Sequence, residues 1–411
     1  MSEQTTAGQA TTEQATAARR PPRPLRHVHR DPAAAPFIVI WEATRACPLA
    51  CRHCRAEARP DRDPAELTTA EAAGLMRQIT AFGRPAPLFV ITGGDPFERP
   101  DLYELIAEAR ALGLSPAVSP SATPALTPRS LARVREAGAS VISLSLDGAS
   151  AAPHDAFRGF GGVFDRTLDA WRAARDAGLK VQVNTTVNRT NLTDLPGIAR
   201  LVHEYGALLW SVFFLIPTGR GRALTSLTAR ETEDVLNFLY DVGRTVPVKA
   251  TEAHHFRRVA LQRHVLAERG ADHERALGLG PLYRDLRERA LDTGLIGAER
   301  TRRPPIDVNA GRGLVFVSHT GEVSPSGFLP LTAGNVREQP LTDIYRTSPL
   351  FTALRDTGRL TGRCGACEFR AVCGGSRSRA FAVTGDVLAE EPWCAYEPGS
   401  FPYPRELAGL L

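Results

Sequence analysis

The sequence predicts an α/β protein in which an open, partial (β/α)6 barrel is followed by a small α+β domain with a cysteine group of its own. Three observations carry this prediction. Short apolar runs alternate with amphipathic stretches of helical period through residue 245, the pattern of a parallel sheet with crossover helices. The alternation then stops, and an Arg-rich helical segment takes over. Finally, the seven cysteines fall into two tight groups, Cys47, Cys51 and Cys54 near the start and Cys364, Cys367, Cys373 and Cys394 near the end.

Residues 1–34 are rich in Ala, Thr, Gln, Arg and Pro without hydrophobic period. Such a segment cannot bury enough surface to offset its ordering entropy, so a disordered tail is expected there. FIVIWEATRAC is the first strand and runs into the first cysteine group. LFVITGG, LSPAVSPS, SVISLSLDG, LKVQVNTTVN and LLWSVFFLIP are the next five strands. Helices are expected over 64–82, 99–112, 127–137, 163–177 and 194–205, with Thr127, just before Pro128, and Asp194 as N-caps. A closed eight-stranded barrel needs two more units, so the barrel over 35–245 is expected to stay open. Residues 246–310 lose the strand signal and are expected to form a helical connector or lid. GLVFVSHTGEVSPSG reads as a hairpin turning at His319-Thr320-Gly321, and it opens a separate small domain over 311–411.

Composition narrows the function classes. Fifty basic against 45 acidic residues leave a net charge of only +5, too mild for a nucleic-acid partner. No run approaches eighteen apolar residues, and the N-terminus lacks the apolar core of a secretory signal. A soluble, cytoplasmic protein with no membrane partner is expected. An odd number of cysteines in such a chain argues for metal ligation over a disulfide framework.

The first group is Cys47-Pro-Leu-Ala-Cys51-Arg-His-Cys54, a C-x3-C-x2-C spacing on the loop leaving the first strand. Three thiolates can hold a four-iron cubane and leave one iron open to a small molecule. A zinc site borrowing His53 is the alternative reading. C-x3-C-x-aromatic-C after a first barrel strand resembles the signature of the radical S-adenosylmethionine (SAM) superfamily, with His53 at the aromatic position. The resemblance implies that SAM chelates the open iron and is reductively cleaved to a 5′-deoxyadenosyl radical. It also implies an external one-electron donor such as flavodoxin or ferredoxin. Thr92-Gly93-Gly94-Asp95-Pro96 resembles the family's GGE motif, with Asp95 in place of the usual Glu. Ser145 and Asp147 in SLSLDG, and Asn184 in VQVNTTVN, match strand ends where the family contacts SAM. Arg220, after the sixth strand, is a further candidate for the adenine or carboxylate. The residue that quenches or protonates the product is unknown.

The second group, Cys364-x2-Cys367-x5-Cys373-x20-Cys394, supplies four thiolates, enough to close an auxiliary [4Fe-4S] cluster with no open iron. A zinc ribbon is the alternative on spacing alone. The C-x2-C-x5-C run resembles the SPASM and twitch extensions of the same superfamily. The larger SPASM pattern has further cysteines where this chain has Ser326 and Arg377, so one auxiliary cluster is implied.

The phrase WEATRACPLACRHCRA and the C-x2-C-x5-C-x20-C ending are most similar to radical SAM enzymes that trim tetrapyrrole side chains in haem and haem d1 biosynthesis. Lys249, His254, His255, Arg257, Arg258, Arg263 and His264 are candidates to pair with carboxylates or to coordinate iron. A solvated helical face is the plain alternative for them. The resemblance also leaves open a ribosomally made peptide as substrate. A non-catalytic iron–sulfur or zinc scaffold is the reading from a different class.

Overall fold

The computed structural model describes residues 31–296 and 308–410. Six parallel strands form as the sequence predicts: β1 (Ile38–Glu42), β2 (Leu88–Thr92), β3 (Ser115–Val118), β4 (Val141–Ser145), β5 (Lys180–Val187) and β6 (Leu209–Phe214). Between them run α1 (Thr69–Thr80), α2 (Leu102–Ala111), α3 (Pro128–Glu136), α4 (Ala151–Arg158), α5 (Val163–Asp176) and α6 (Leu195–Glu204). The chain continues through α7 (Ala229–Val242), β7 (Val248–Thr251), α8 (Phe256–Glu268), α9 (His273–Leu277) and α10 (Pro281–Asp292). Its last part holds β8 (Asn309–Ala310), β9 (Gly313–Val317), β10 (Glu322–Ser324), β11 (Gly334–Asn335) and the short helices α11 (Leu341–Thr347), α12 (Pro349–Arg355), α13 (Gly362–Ala366), α14 (Arg377–Thr384) and α15 (Pro404–Ala408).

Strand pattern decides which face meets the helices. In β5, Val181, Val183, Thr185 and Val187 are buried while Gln182, Asn184 and Thr186 are half-buried, so the apolar set faces the helical layer and the polar set faces the inside of the curved sheet. Trp41, Trp171 and Trp210 are fully enclosed in the core; burying each contributes roughly 2–3 kcal/mol. Helix starts follow the local chemistry. Thr127 accepts from the Ser130 N–H, and Ser130 returns the bond to Thr127 N–H. Thr68 with Glu71 and Thr228 with Glu231 form the same reciprocal pair at α1 and α7.

The structure corrects the sequence reading in five places. The 246–310 connector contains β7, a four-residue strand parallel to β6. Val-Lys-Ala-Thr after Pro247 is only four residues long and lies on the sheet edge, too short an alternation to announce a strand. The hairpin does turn at 318–321, but it is no separate sheet. β9 pairs in parallel with β1, and Asp31–Leu411 is one compact unit. With β7 on one side and β9 on the other, eight parallel strands stand in the order β9-β1-β2-β3-β4-β5-β6-β7. Among the described residues no ladder joins β7 to β9, so the barrel stays open. Helix α4 was missed because it is short and carries Pro153 inside it. Asp194 makes no side-chain cap bond, and its carboxylate accepts instead from the Ala149 N–H at 3.4 Å. Residues 31–34, placed in the tail, are held against α11, whose Tyr345 hydroxyl and Arg346 donate to the carbonyls of Pro32 and Ala34; the tail up to residue 30 lies outside the described residues.

Candidate functional site

The first cysteine group occupies the loop after β1, at the carboxyl end of the parallel sheet. Cys47 and Cys51 are buried and Cys54 is half-buried, and the three share a small apolar cluster with Leu49 and Val163. The loop is clamped from three directions. Behind it, the chain after β2 approaches so closely that a Cβ on Gly93 would sit 2.4 Å from the Thr44 carbonyl oxygen, and one on Gly94 would sit 2.3 Å from that of Ala46. Only glycine permits this contact, which is closed by Gly94 N–H to Thr44 O and Asp95 N–H to Ala46 O. On another side, Phe157 accepts from the Arg52 N–H and stacks on His53 at 4.4 Å. From the loop after β6, Arg220 donates its Nε to the Cys51 carbonyl at 2.9 Å and its backbone N–H to the Cys54 carbonyl at 3.1 Å.

Donors converge on the sulfurs. Leu49 N–H lies 3.4 Å from Cys47 Sγ, Ala58 N–H 3.4 Å from Cys54 Sγ and Arg158 Nη1 3.7 Å from Cys51 Sγ. Burial pushes the Cys47 thiol up to about 11, so without a metal this thiol keeps its proton at neutral pH and metal loading must displace it. Donors aimed at three sulfurs fit an anionic iron–sulfur cube. Burial, with Arg158 and Arg220 nearby, holds His53 well below its ordinary range. Its ring stacks on Phe157 and its buried Nδ1 has no partner.

The other nominated residues sort into two kinds. Asp95 is fully enclosed and already accepts from Thr123 Oγ1 at 2.8 Å, Phe97 N–H at 3.2 Å and Ser121 N–H at 3.4 Å; burial raises it to about 6. Asp147 is likewise occupied, bound to Arg158 Nη2 at 2.5 Å and to Thr186 N–H at 2.7 Å. Both carboxylates are buried and already hydrogen-bonded, and Asp147, through Arg158, backs the cysteine loop. Gly93 and Gly94 make room for that loop's backbone first. Ser145 and Asn184, by contrast, face the inside of the sheet. They stand in one register row that continues across the next two strands, Ser145↔Asn184↔Ser211↔Lys249. Asn184 accepts from the Gln182 amide at 2.8 Å.

The second group closes on itself differently. Cys364, Cys367, Cys373 and Cys394 line one cavity with His255 and Arg258. Phe369, Tyr396 and Phe401 pack around it. Gly374 and Gly375 both adopt left-handed backbone, φ +66° and +60°, and the turn aims Gly375 N–H at Cys373 Sγ, 3.4 Å away. Glu391 N–H lies 3.3 Å and Arg377 Nη2 3.8 Å from Cys364 Sγ, and Arg258 Nη2 4.0 Å from Cys394 Sγ. Burial raises Cys367 to about 11 and Cys373 to about 12. Four thiols, the donors aimed at them and an apolar wall suit a fully ligated cluster. Where the larger pattern has another cysteine, Ser326 donates to the buried Glu252, which Ser376 and Ser378 also serve.

Most of the basic middle segment is built into the fold. Arg258 pairs with Glu233 at 2.5 Å and Arg263 with Asp241 at 2.5 Å, all buried. Arg257 donates to the Val308 and Val372 carbonyls, and His264 meets Glu268 at the surface. The three arginines are committed to the fold, while His264 lies on a solvated face. Lys249 and His254 enter none of these pairs; His254 keeps a buried Nδ1 without a partner. Sequence reasoning missed Arg158, Phe157 and Ser121, whose roles depend on contacts across the fold that no local pattern records.

Comparison with known proteins agrees with this geometry. Residues 41–202 match the model of the radical SAM superfamily, and residues 309–368 match that of the SPASM iron–sulfur cluster-binding domain. The chain is 40% identical over 365 residues to the AdoMet-dependent heme synthase of Nitratidesulfovibrio vulgaris, covering 88% of this chain and 92% of that protein. It is 36% identical to the AdoMet-dependent heme synthase of Methanosarcina barkeri, covering 89% of this chain and 98% of that one. The solved structure of native anSMEcpe with bound AdoMet shares the fold, with a TM-score of 0.63 at 14% identity over 90% of this chain and 98% of that one. No helix among the described residues is long and apolar enough to cross a membrane. The chain is therefore an enzyme of the radical SAM superfamily with a C-terminal SPASM domain, using SAM, a SAM-binding [4Fe-4S] cluster and an auxiliary iron–sulfur cluster.

Proposed function

We propose that this enzyme removes carboxyl-bearing side-chain groups from a bound tetrapyrrole, with iron-coproporphyrin as the first substrate to test. The observation that carries the reading is 40% identity across 92% of a protein named AdoMet-dependent heme synthase. In this reading Cys47, Cys51 and Cys54 hold the SAM-binding cluster, and Cys364, Cys367, Cys373 and Cys394 hold the auxiliary one. SAM bound at the first cluster supplies, on one-electron reduction, a 5′-deoxyadenosyl radical that takes hydrogen from the substrate.

The chain's own part is positioning. Ser145, Asn184 and Ser211 give the inner face a hydrogen-bonding row, and Lys249 ends it with a cation. Burial lowers the Lys249 pKa, so a carboxylate arriving beside it gains from pairing where water is scarce. Arg220 has a buried Nη2 without a partner, which supports its assignment to the carboxylate or adenine of SAM. His254, with a spare ring nitrogen, is the candidate for a substrate iron. An external electron donor such as flavodoxin or ferredoxin would reduce the first cluster. Seven free cysteines support a reducing, cytoplasmic setting.

The test is anaerobic incubation of the reduced, reconstituted enzyme with SAM and iron-coproporphyrin, followed by mass spectrometry. Losses matching decarboxylation are expected. If neither a mass loss nor an absorption shift on binding is seen, the tetrapyrrole reading fails and a peptide substrate becomes the next to try.

A further inference from the structure

His255 is 0% exposed, and neither of its ring nitrogens has a hydrogen-bond partner. Buried polar groups are almost always paired, because leaving one bare costs its lost hydration. The ring lines the same cavity as Cys364, Cys367, Cys373 and Cys394. It sits at the start of α8, one turn before Arg258, which is itself fixed by Glu233. The fold thus holds a polar ring against a space walled by four thiols, with nothing there from the polypeptide to meet it.

We propose that His255 donates a ring N–H to a sulfur of the auxiliary cluster and thereby raises that cluster's reduction potential. The inference rests on the four cysteines holding a cluster and is independent of which substrate the enzyme takes. Three facts favour a donor over a ligand. Four thiols already satisfy four irons. The donors reaching the cysteine sulfurs come from Gly375, Glu391, Arg377, Arg258, Phe369 and Tyr396, and a cluster brings sulfides of its own, so sulfur acceptors remain. Neither ring nitrogen is engaged by the polypeptide, so the ring keeps an N–H to give toward the cavity. Donation to cluster sulfur stabilises the more negative, reduced state, and so moves the potential up.

The experiment uses the full chain with Cys47, Cys51 and Cys54 changed to Ala, so that only the auxiliary cluster contributes. Redox titration followed by electron paramagnetic resonance is compared for His255, His255→Leu and His255→Gln at equal iron content. A downward shift in His255→Leu, partly recovered in His255→Gln, whose amide keeps an N–H, is the expected result. Equal potentials in all three proteins overturn the proposal. Should His255→Leu fail to fold or to hold iron, the parent protein labelled with 15N-histidine decides. Pulsed resonance of the reduced cluster is expected to show one weak nitrogen coupling that vanishes in His255→Gln. Absence of any coupling, or the strong coupling of a nitrogen bound to iron, overturns it.

Discussion

The two cysteine groups are built with the same electrostatic device and differ in how many sulfurs they present. At each, a buried arginine bridges a buried carboxylate and a thiol. Arg158 lies 2.5 Å from Asp147 and 3.7 Å from Cys51 Sγ; Arg258 lies 2.5 Å from Glu233 and 4.0 Å from Cys394 Sγ. The carboxylate fixes the guanidinium, and the guanidinium offers its remaining N–H groups to sulfur. What separates the groups is ligand count. Three thiols leave an iron open for chemistry, and four leave none. The comparison teaches that reactivity here follows from coordination, while the surrounding charges serve both groups alike.

Removing the ligands is the strongest way to break the comparison. Cys47, Cys51 and Cys54 all changed to Ala should cut iron from about eight to about four per chain and abolish SAM cleavage, measured as 5′-deoxyadenosine release. The change of Cys364, Cys367, Cys373 and Cys394 to Ala should remove the other half of the iron and substrate turnover, yet leave uncoupled SAM cleavage. Cleavage lost equally in both variants would erase the distinction between an open and a closed cluster.

The shared device is tested by removing each arginine. Arg158→Leu strands Asp147 and Arg258→Leu strands Glu233, each a carboxylate buried without its counter-charge. Each change should cost the apo-protein about 3–5 kcal/mol in urea unfolding. Pairing each with the neutral variant, Asp147→Asn or Glu233→Gln, should recover much of that loss. Unequal costs would mean that the two bridges are less alike than their distances.

Lys249 and the glycines sharpen the division between the groups. Lys249→Met should weaken binding of a carboxylated tetrapyrrole roughly tenfold, about 1.4 kcal/mol, with uncoupled SAM cleavage retained; equal affinity would remove Lys249 from the substrate's reach. Gly94→Val should displace the loop of the first group, because its Cβ would meet the Ala46 and Arg45 carbonyls at 2.3 and 2.7 Å. Isothermal titration should then show weaker SAM binding while the auxiliary cluster's spectrum stays unchanged.

A further expected effect concerns pH. Burial raises Asp95 to about 6 from an ordinary 3.8, so between those values the folded chain holds a proton that the unfolded chain has lost. That contribution is complete below pH 4 and disappears as pH rises through 6, and it amounts to on the order of 3 kcal/mol. Urea titrations of the apo-protein between pH 4 and pH 7 should show this slope, and Asp95→Asn should flatten it. A variant with the parent's slope would place the proton elsewhere.

The sequence by itself determined the six βα units, the first-strand position of Cys47, Cys51 and Cys54, and the spacing of the second group. These are short-range facts: apolar alternation, caps such as Thr127 with Ser130, and ligands a few residues apart. Tertiary structure alone decided the rest. β9 joins β1 from more than 270 positions away, and β7 is a strand only because β6 lends it an edge. Asp147 and Asp95, polar residues at strand ends, are taken up by Arg158 and Thr123, donors from distant segments that reach them only in the folded chain. Arg258 and Arg263, basic residues on one helix, became internal counter-charges because α7 places Glu233 and Asp241 against them. Local patterning sets the elements and the ligand spacing, but which charges meet depends on chain segments that only folding brings together, and desolvation then fixes what each can do.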